Sequence, residues 1–157
     1  MSLAEAFPEN IRVEFANRNL VIGSALYIKI EEFDVNYNKY VIFFSPNVYD
    51  SSLCGILVIN THINPQINHS PYLQSQHVLI DKANHDFLDY DSYVDCSQIH
   101  EKTKQEIVDY ICNNPLCVCG NISDNIMNNI REVLINSTIL SNNDKRKYGI
   151  IPNVQLN

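Results

Sequence analysis

Apolar positions in this chain fall in short runs separated by polar corners, and their spacing predicts a mainly β domain with helices. Around residues 77–100 the pattern is densest. Val78 and Ile80 alternate with Leu79 and Asp81 in a short strand, a polar corner follows at 82–86, and Tyr93, Val94 and Ile99 mark a second strand antiparallel to it. Upstream, Ile11, Val13 and Phe15 alternate with Arg12 and Glu14, which reads as an edge strand within a polar lead-in, 1–19. A strand is expected over 20–30. Two further runs, 40–44 and 55–59, are almost wholly apolar and therefore read as central strands covered on both sides. Ser45-Pro46-Asn47 stops the first of these, and Asn60-Thr61-His62 ends the second.

Residues 63–76, with Pro65 and Pro71, read as a long loop. Downstream, Ile107, Val108 and Ile111 lie opposite Glu106 and Asp109, so 103–113 is expected to be a helix ended by Asn-Asn-Pro. A last strand is expected at 116–119. Ser123 then suits a helix N-cap, with Asp124 in the first turn. Ile126, Ile130, Val133 and Leu134 share one face of that helix, which should pack on the sheet. The tail from 142 is polar up to Tyr148-Gly149-Ile150-Ile151, which would add one more strand or an arm.

Composition narrows the class without naming a function. At 157 residues, 45% hydrophobic and 18% charged, a single domain is expected over 1–157, burying about 70% of its unfolded surface. No apolar run approaches the length of a membrane span and no secretory signal opens the chain, so a cytoplasmic protein is expected. Five irregularly spaced cysteines then read as reduced thiols rather than a disulfide frame. The net charge of -7, with only 11 Lys plus Arg, means that any RNA site must be a locally basic cleft on an acidic protein.

The segment "HVLID…FLDYDSYVDCSQIH" resembles the central strand pair of the MazF/PemK family of toxin endoribonucleases, which has the form "HVEID…DS-(apolar run)-QIRT". A "G-x-L-(S/D)" connection and a C-terminal amphipathic helix follow in that family, matched here by Gly120-Asn121-Ile122-Ser123 and the helix after it. Gly23-Ser24 stands where the family has a Gly-Asp pair. The match covers about two thirds of the chain. The connection from His100 to Gly120 is longer than in the family, and both ends are extended. The resemblance implies a small, strongly bent antiparallel β-barrel over 20–141 with the C-terminal helix packed on it and a tail at 142–157. It also implies cleavage of single-stranded RNA without a metal or cofactor, a homodimer, and an antitoxin protein as partner.

Metal-free RNA cleavage needs a 2′-hydroxyl made nucleophilic, a proton for the leaving oxygen, and charge or donors around the phosphoryl oxygens. The family uses chiefly an Arg before its second strand and a Thr at the end of its third. The resemblance transfers these roles to Lys39 and Thr61. Lysine offers a point charge rather than the two-pronged fork of arginine. As both begin or end buried strands, Lys39 and Thr61 should converge. His62 and His100 are candidate acids or bases, His100 standing where "QIRT" has Arg. Ser45 and Gln98 either donate to a phosphate or base or satisfy a local backbone group. His69, His77 and His85 fall in or beside loops and carry less weight.

Cys112, Cys117 and Cys119 form a C-x4-C-x-C cluster that lacks the Cys-x2-Cys knuckle of zinc sites, and strand alternation would put Cys117 and Cys119 on one face. No Walker or dinucleotide-binding glycine fingerprint occurs. Two readings of different class stand: a MazF/PemK-like endoribonuclease, and a non-catalytic binding module on the same barrel. A basic concavity between loops 31–38 and 60–76 would favour the nuclease.

Overall fold

A computed structural model describes residues 6–32 and 36–153, so the first five residues of the lead-in, three residues of the 31–38 loop and the last four of the tail lie outside it. The architecture is α+β. Six antiparallel strands form one curled sheet: β1 (Ser24–Ile28), β2 (Lys39–Pro46), β3 (Leu53–Asn60), β4 (His77–Ile80), β5 (Ser92–Thr103) and β6 (Val118–Asn121). Their order is β4-β5-β3-β2-β1-β6, and among the described residues β4 does not pair with β6, so the sheet is a half-barrel with two edges.

The two apolar runs are indeed central. Successive side chains of a strand point to opposite faces, so a strand apolar at every position must be covered twice. On one face Ile42, Phe44, Leu57 and Ile59 join Val78, Ile80 and Val94 in a core closed by α4 (Asp124–Asn136). On the other, Val41, Phe43, Ile56 and Val58 are covered by α1 (Glu9–Asn19) and α3 (Lys104–Asn113). Both covers come from the same chain, so these strands need no second copy to shield them.

The expected edge strand at 11–15 is instead part of α1. Phe15 and Ala16, with Leu20 at the helix C-cap, pack in the second core, while Ile11 and Val13 face out. Pro8, which has no N–H to leave unpaired, precedes its first turn. The strand expected over 20–30 shrinks to β1 because Leu20 ends α1 and Gly23, at φ 92°, makes a left-handed turn. Residues 63–76 are not loop throughout. Ser70 accepts a hydrogen bond from the Leu73 N–H and Pro71 opens a short helix, α2 (Pro71–Ser75).

At the C-terminal end the Ser123 hydroxyl caps α4 as expected, and Ile126, Met127, Ile130 and Leu134 face the core. Pro115–Cys117 forms a 3-10 turn, so the last strand starts later than expected, at Val118, and pairs with β1. No strand or arm forms in the described part of the tail. Residues Asn142–Lys147 form α5. Lys145, 6% exposed, donates from Nζ to the Ile135 and Ser137 carbonyls at 2.8 and 2.6 Å and so caps the end of α4. Tyr148 and Ile150 then enter the first core. No helix among the described residues is long and apolar enough to cross a membrane.

Gly55 makes room for that tail. A Cβ there would sit 2.6 Å from Ile99 Cγ2 and 2.8 Å from Tyr148 Cε1. Gly55→Ala is therefore expected to destabilise the protein by about 1–3 kcal/mol, read as a lower urea midpoint with an unchanged m-value.

Candidate functional site

Because β2 and β3 run antiparallel, the first residue of one meets the last residue of the other. Lys39 and Asn60 stand at that shared end, and Lys39 Nζ donates to Asn60 Oδ1 at 2.6 Å. Lys39 lies two residues before Val41 and projects to the same face as Val58. Next to them, β5 departs from regular pairing. The register steps from Ile56 opposite His100 to Val58 opposite Asp95, so β5 bows out over 96–99 against the single residue Leu57. That bow brings both Asp95 and His100 opposite residues of the second face.

The result is a cleft of about 620 Å³ lined by Lys39, Asn60, His62, Asp95, Gln98 and His100, among others. Hydrogen bonds among its lining residues brace it. The Ser97 N–H and Oγ donate to Asp95 Oδ1 at 2.9 and 2.5 Å. His77, its side chain 2% exposed, lies with Nε2 2.9 Å from Asn68 Oδ1 and 3.9 Å from Asp95 Oδ1. Burial pushes the His100 pKa below its ordinary value. Asp95 opposes that shift, while Lys102 and Lys39 add to it. Burial likewise lowers Lys39, against the pull of Asp95. The cleft thus presents a neutral imidazole at neutral pH.

A second concavity of about 420 Å³ adjoins the cleft over the strand ends, with Lys39, Asn60 and His62 lining both. Thr61 and Lys39 both line this outer concavity. Thr61 and His62 are exposed there.

Other expectations are corrected. His100, expected at the close of the strand marked by Tyr93, Val94 and Ile99, lies within it, because β5 continues to Thr103 and His100 pairs with Ile56. Ser45 is outside the site: it is buried near the far end of β2, and its Oγ donates to the Pro46 carbonyl. The cleft is not basic. Among its described lining residues, Lys39 stands against Glu32 and Asp95, and nearby Lys102 is ion-paired with Glu32. Cys117 and Cys119 do not share a face, since the 3-10 turn puts Cys117 in the second core while Cys119 packs on the first. All five thiols are free. Burial raises Cys54 and Cys119 to about 11 and Cys117 to about 12, which keeps them protonated. Among the described residues no group of His, Cys, Asp or Glu is arranged to hold a metal ion.

Asp95 and His77 were not legible as site residues. Alternation along the strand marks Asp95 only as one polar position among several, and the bow in β5 depends on a partner distant in sequence. No protein-family model matches the chain, and no curated protein matches it.

The His100 shift has a signed consequence for stability. Its folded pKa lies below the unfolded value of about 6.5, so in the intervening range the unfolded chain binds more protons. Stability contributed by neutral His100 is therefore present above about pH 6.5 and lost as the pH falls through the folded pKa. Urea midpoints of the wild type and of His100→Gln, compared between about pH 7.5 and 5.5, should show a smaller acid loss in the variant. Equal losses would contradict the shift.

Proposed function

We propose that the cleft and its rim cleave single-stranded RNA without a metal, in the manner of the MazF/PemK family that the sequence resembles. The observation that supports this best is that Lys39 and His62 line both the cleft that holds His100 and the adjoining concavity that holds Thr61, so that two strands and the loop after β3 contribute to one continuous site. Each supplies a part of the chemistry. Neutral His100 accepts the 2′-hydroxyl proton, and the 2′-oxygen attacks phosphorus. Lys39 Nζ stabilises the charge gained by the phosphoryl oxygens, with Thr61 donating one hydrogen bond to them. His62 returns a proton to the 5′-oxygen as the P–O5′ bond breaks, leaving a 2′,3′-cyclic phosphate. Asp95 and His77 touch no reacting atom in this scheme; they line the cleft with His100. An antitoxin partner, a homodimer and closure of the half-barrel into the full barrel belong to the same proposal.

One observation favours a second reading. A cleft in which one lysine faces two carboxylates is poorly suited to holding several phosphates, and a non-catalytic binding module on the same fold has no need to. Incubating the pure protein with a long single-stranded RNA in EDTA, followed by end-group analysis, separates the two. Cyclic-phosphate ends are the expected result, and intact RNA sinks the nuclease reading.

Two further outcomes follow from the assignment. Thr61→Ala and Lys39→Ala should each lower the cleavage rate by about 10²-fold or more with unchanged thermal unfolding, whereas Lys39→Arg should keep or raise it. RNA affinity should fall with salt but along a shallow slope, because few cations reach the strand; affinity that ignores salt would point to a protein ligand instead.

A further inference from the structure

The outer concavity differs from the cleft in both charge and lining. Its described lining contains Lys39 and no carboxylate, and three of its walls are tyrosines, Tyr27, Tyr37 and Tyr40. Tyr27 and Tyr40 face each other across β1 and β2, with ring centroids 4.6 Å apart and planes tilted by 32°. Tyr40 is fixed in turn. Its hydroxyl donates to the Phe87 carbonyl at 3.0 Å, and its ring packs on Phe87 at 5.5 Å between centroids. Tyr27 therefore rests on a rigid support, yet it stays 40% exposed, and Tyr37, which lines the same concavity, is 59% exposed. Two accessible rings that share one concavity with Lys39, at a rim shared with the cleft, are an unusual use of surface. Apolar area is left in water while the neighbouring sheet positions are covered.

We propose that Tyr27 and Tyr37 form a base-stacking subsite, which holds a nucleobase of single-stranded RNA next to the phosphate position at Lys39. Aromatic rings accept any base through its π-face, and an adjacent cation tracks the backbone, which is the general arrangement for binding single strands without strict sequence preference. The strand would cross the end of the sheet, with its base on the tyrosines and its phosphate at the rim formed by Lys39, Asn60 and His62. The carboxylates Glu32 and Asp95 lie on the far side of that rim, within the cleft. This rests on the cleavage reading for the identity of the ligand, but its energetics are separate, since stacking needs no 2′-hydroxyl.

The test uses a short fluorescein-labelled 2′-O-methyl oligoribonucleotide, which lacks the attacking hydroxyl, and reads affinity by anisotropy at fixed low salt. Tyr37→Leu and Tyr27→Leu should each weaken binding about tenfold or more, whereas Tyr37→Phe and Tyr27→Phe should retain it. The exposed Tyr37 has little to lose in folding, so its variants stay informative if Tyr27→Leu loosens the sheet. Equal affinity in wild type and both Leu variants overturns the subsite, and RNA cleavage measured in parallel then shows whether the cleft reading survives. Loss of affinity in the Leu variants without any cleavage keeps the subsite and overturns the catalytic reading. No binding by the wild type overturns the subsite outright.

Discussion

Strands β2 and β3 are apolar on both faces, and the rest of the molecule is arranged to cover them. A strand whose every side chain avoids water needs two layers of cover, and a chain of 157 residues has to supply both from its own helices. Helices α1 and α3 close one face, and α4 closes the other together with residues from the tail. The tail is bound into this scheme by Lys145, whose buried ammonium is satisfied by the carbonyls that end α4. Gly55 belongs to the same constraint, because only a missing side chain lets Tyr148 approach β3.

The polar site sits where that cover ends. On the second face the helices shield Val41, Phe43 and Ile56, and beyond them the sheet continues as Lys39, Asn60, Asp95 and His100. A polar group placed at such a margin is half desolvated. Burial pushes both Lys39 and His100 toward their neutral forms while Asp95 resists, and at His100 the neighbouring Lys102 and Lys39 act in the same direction as burial. A fully solvated strand end would leave both groups ordinary, and a fully covered one would exclude a ligand.

Hydrogen bonds rather than ion pairs hold the margin in shape. Lys39 is tied to Asn60, Asp95 is held by Ser97, and His77 lies against Asn68. Among the described residues Glu32 and Lys102 form an ion pair beside the cleft, and His77 lies 3.9 Å from Asp95 within it. These groups come from β2, β3, β4, β5 and the loop after β3. The site is therefore a property of strand pairing and persists only while the sheet does.

Patterning of single segments determined much of this protein. Apolar runs at 40–44 and 55–59 marked the central strands, the alternation of Val78 and Ile80 marked β4, and Ser123 with its apolar face downstream marked α4, because each is decided by residues within a few positions of one another. That Lys39 and Thr61 would line one concavity was legible for a related reason: antiparallel neighbours must bring a strand start to a strand end. Tertiary structure decided what local pattern left ambiguous. The stretch 11–15 fits a strand or a helix by its apolar spacing, and packing on α3 selected the helix. The bow of β5 that admits Asp95 and His100 to one face depends on register against β3, some 40 residues away in sequence. The charge of the cleft was likewise beyond reach, since Glu32 and Asp95 enter it only through contacts between distant segments. Sequence periodicity reports which face of an element is buried, whereas which elements meet, and at what register, is settled by packing across the whole sheet.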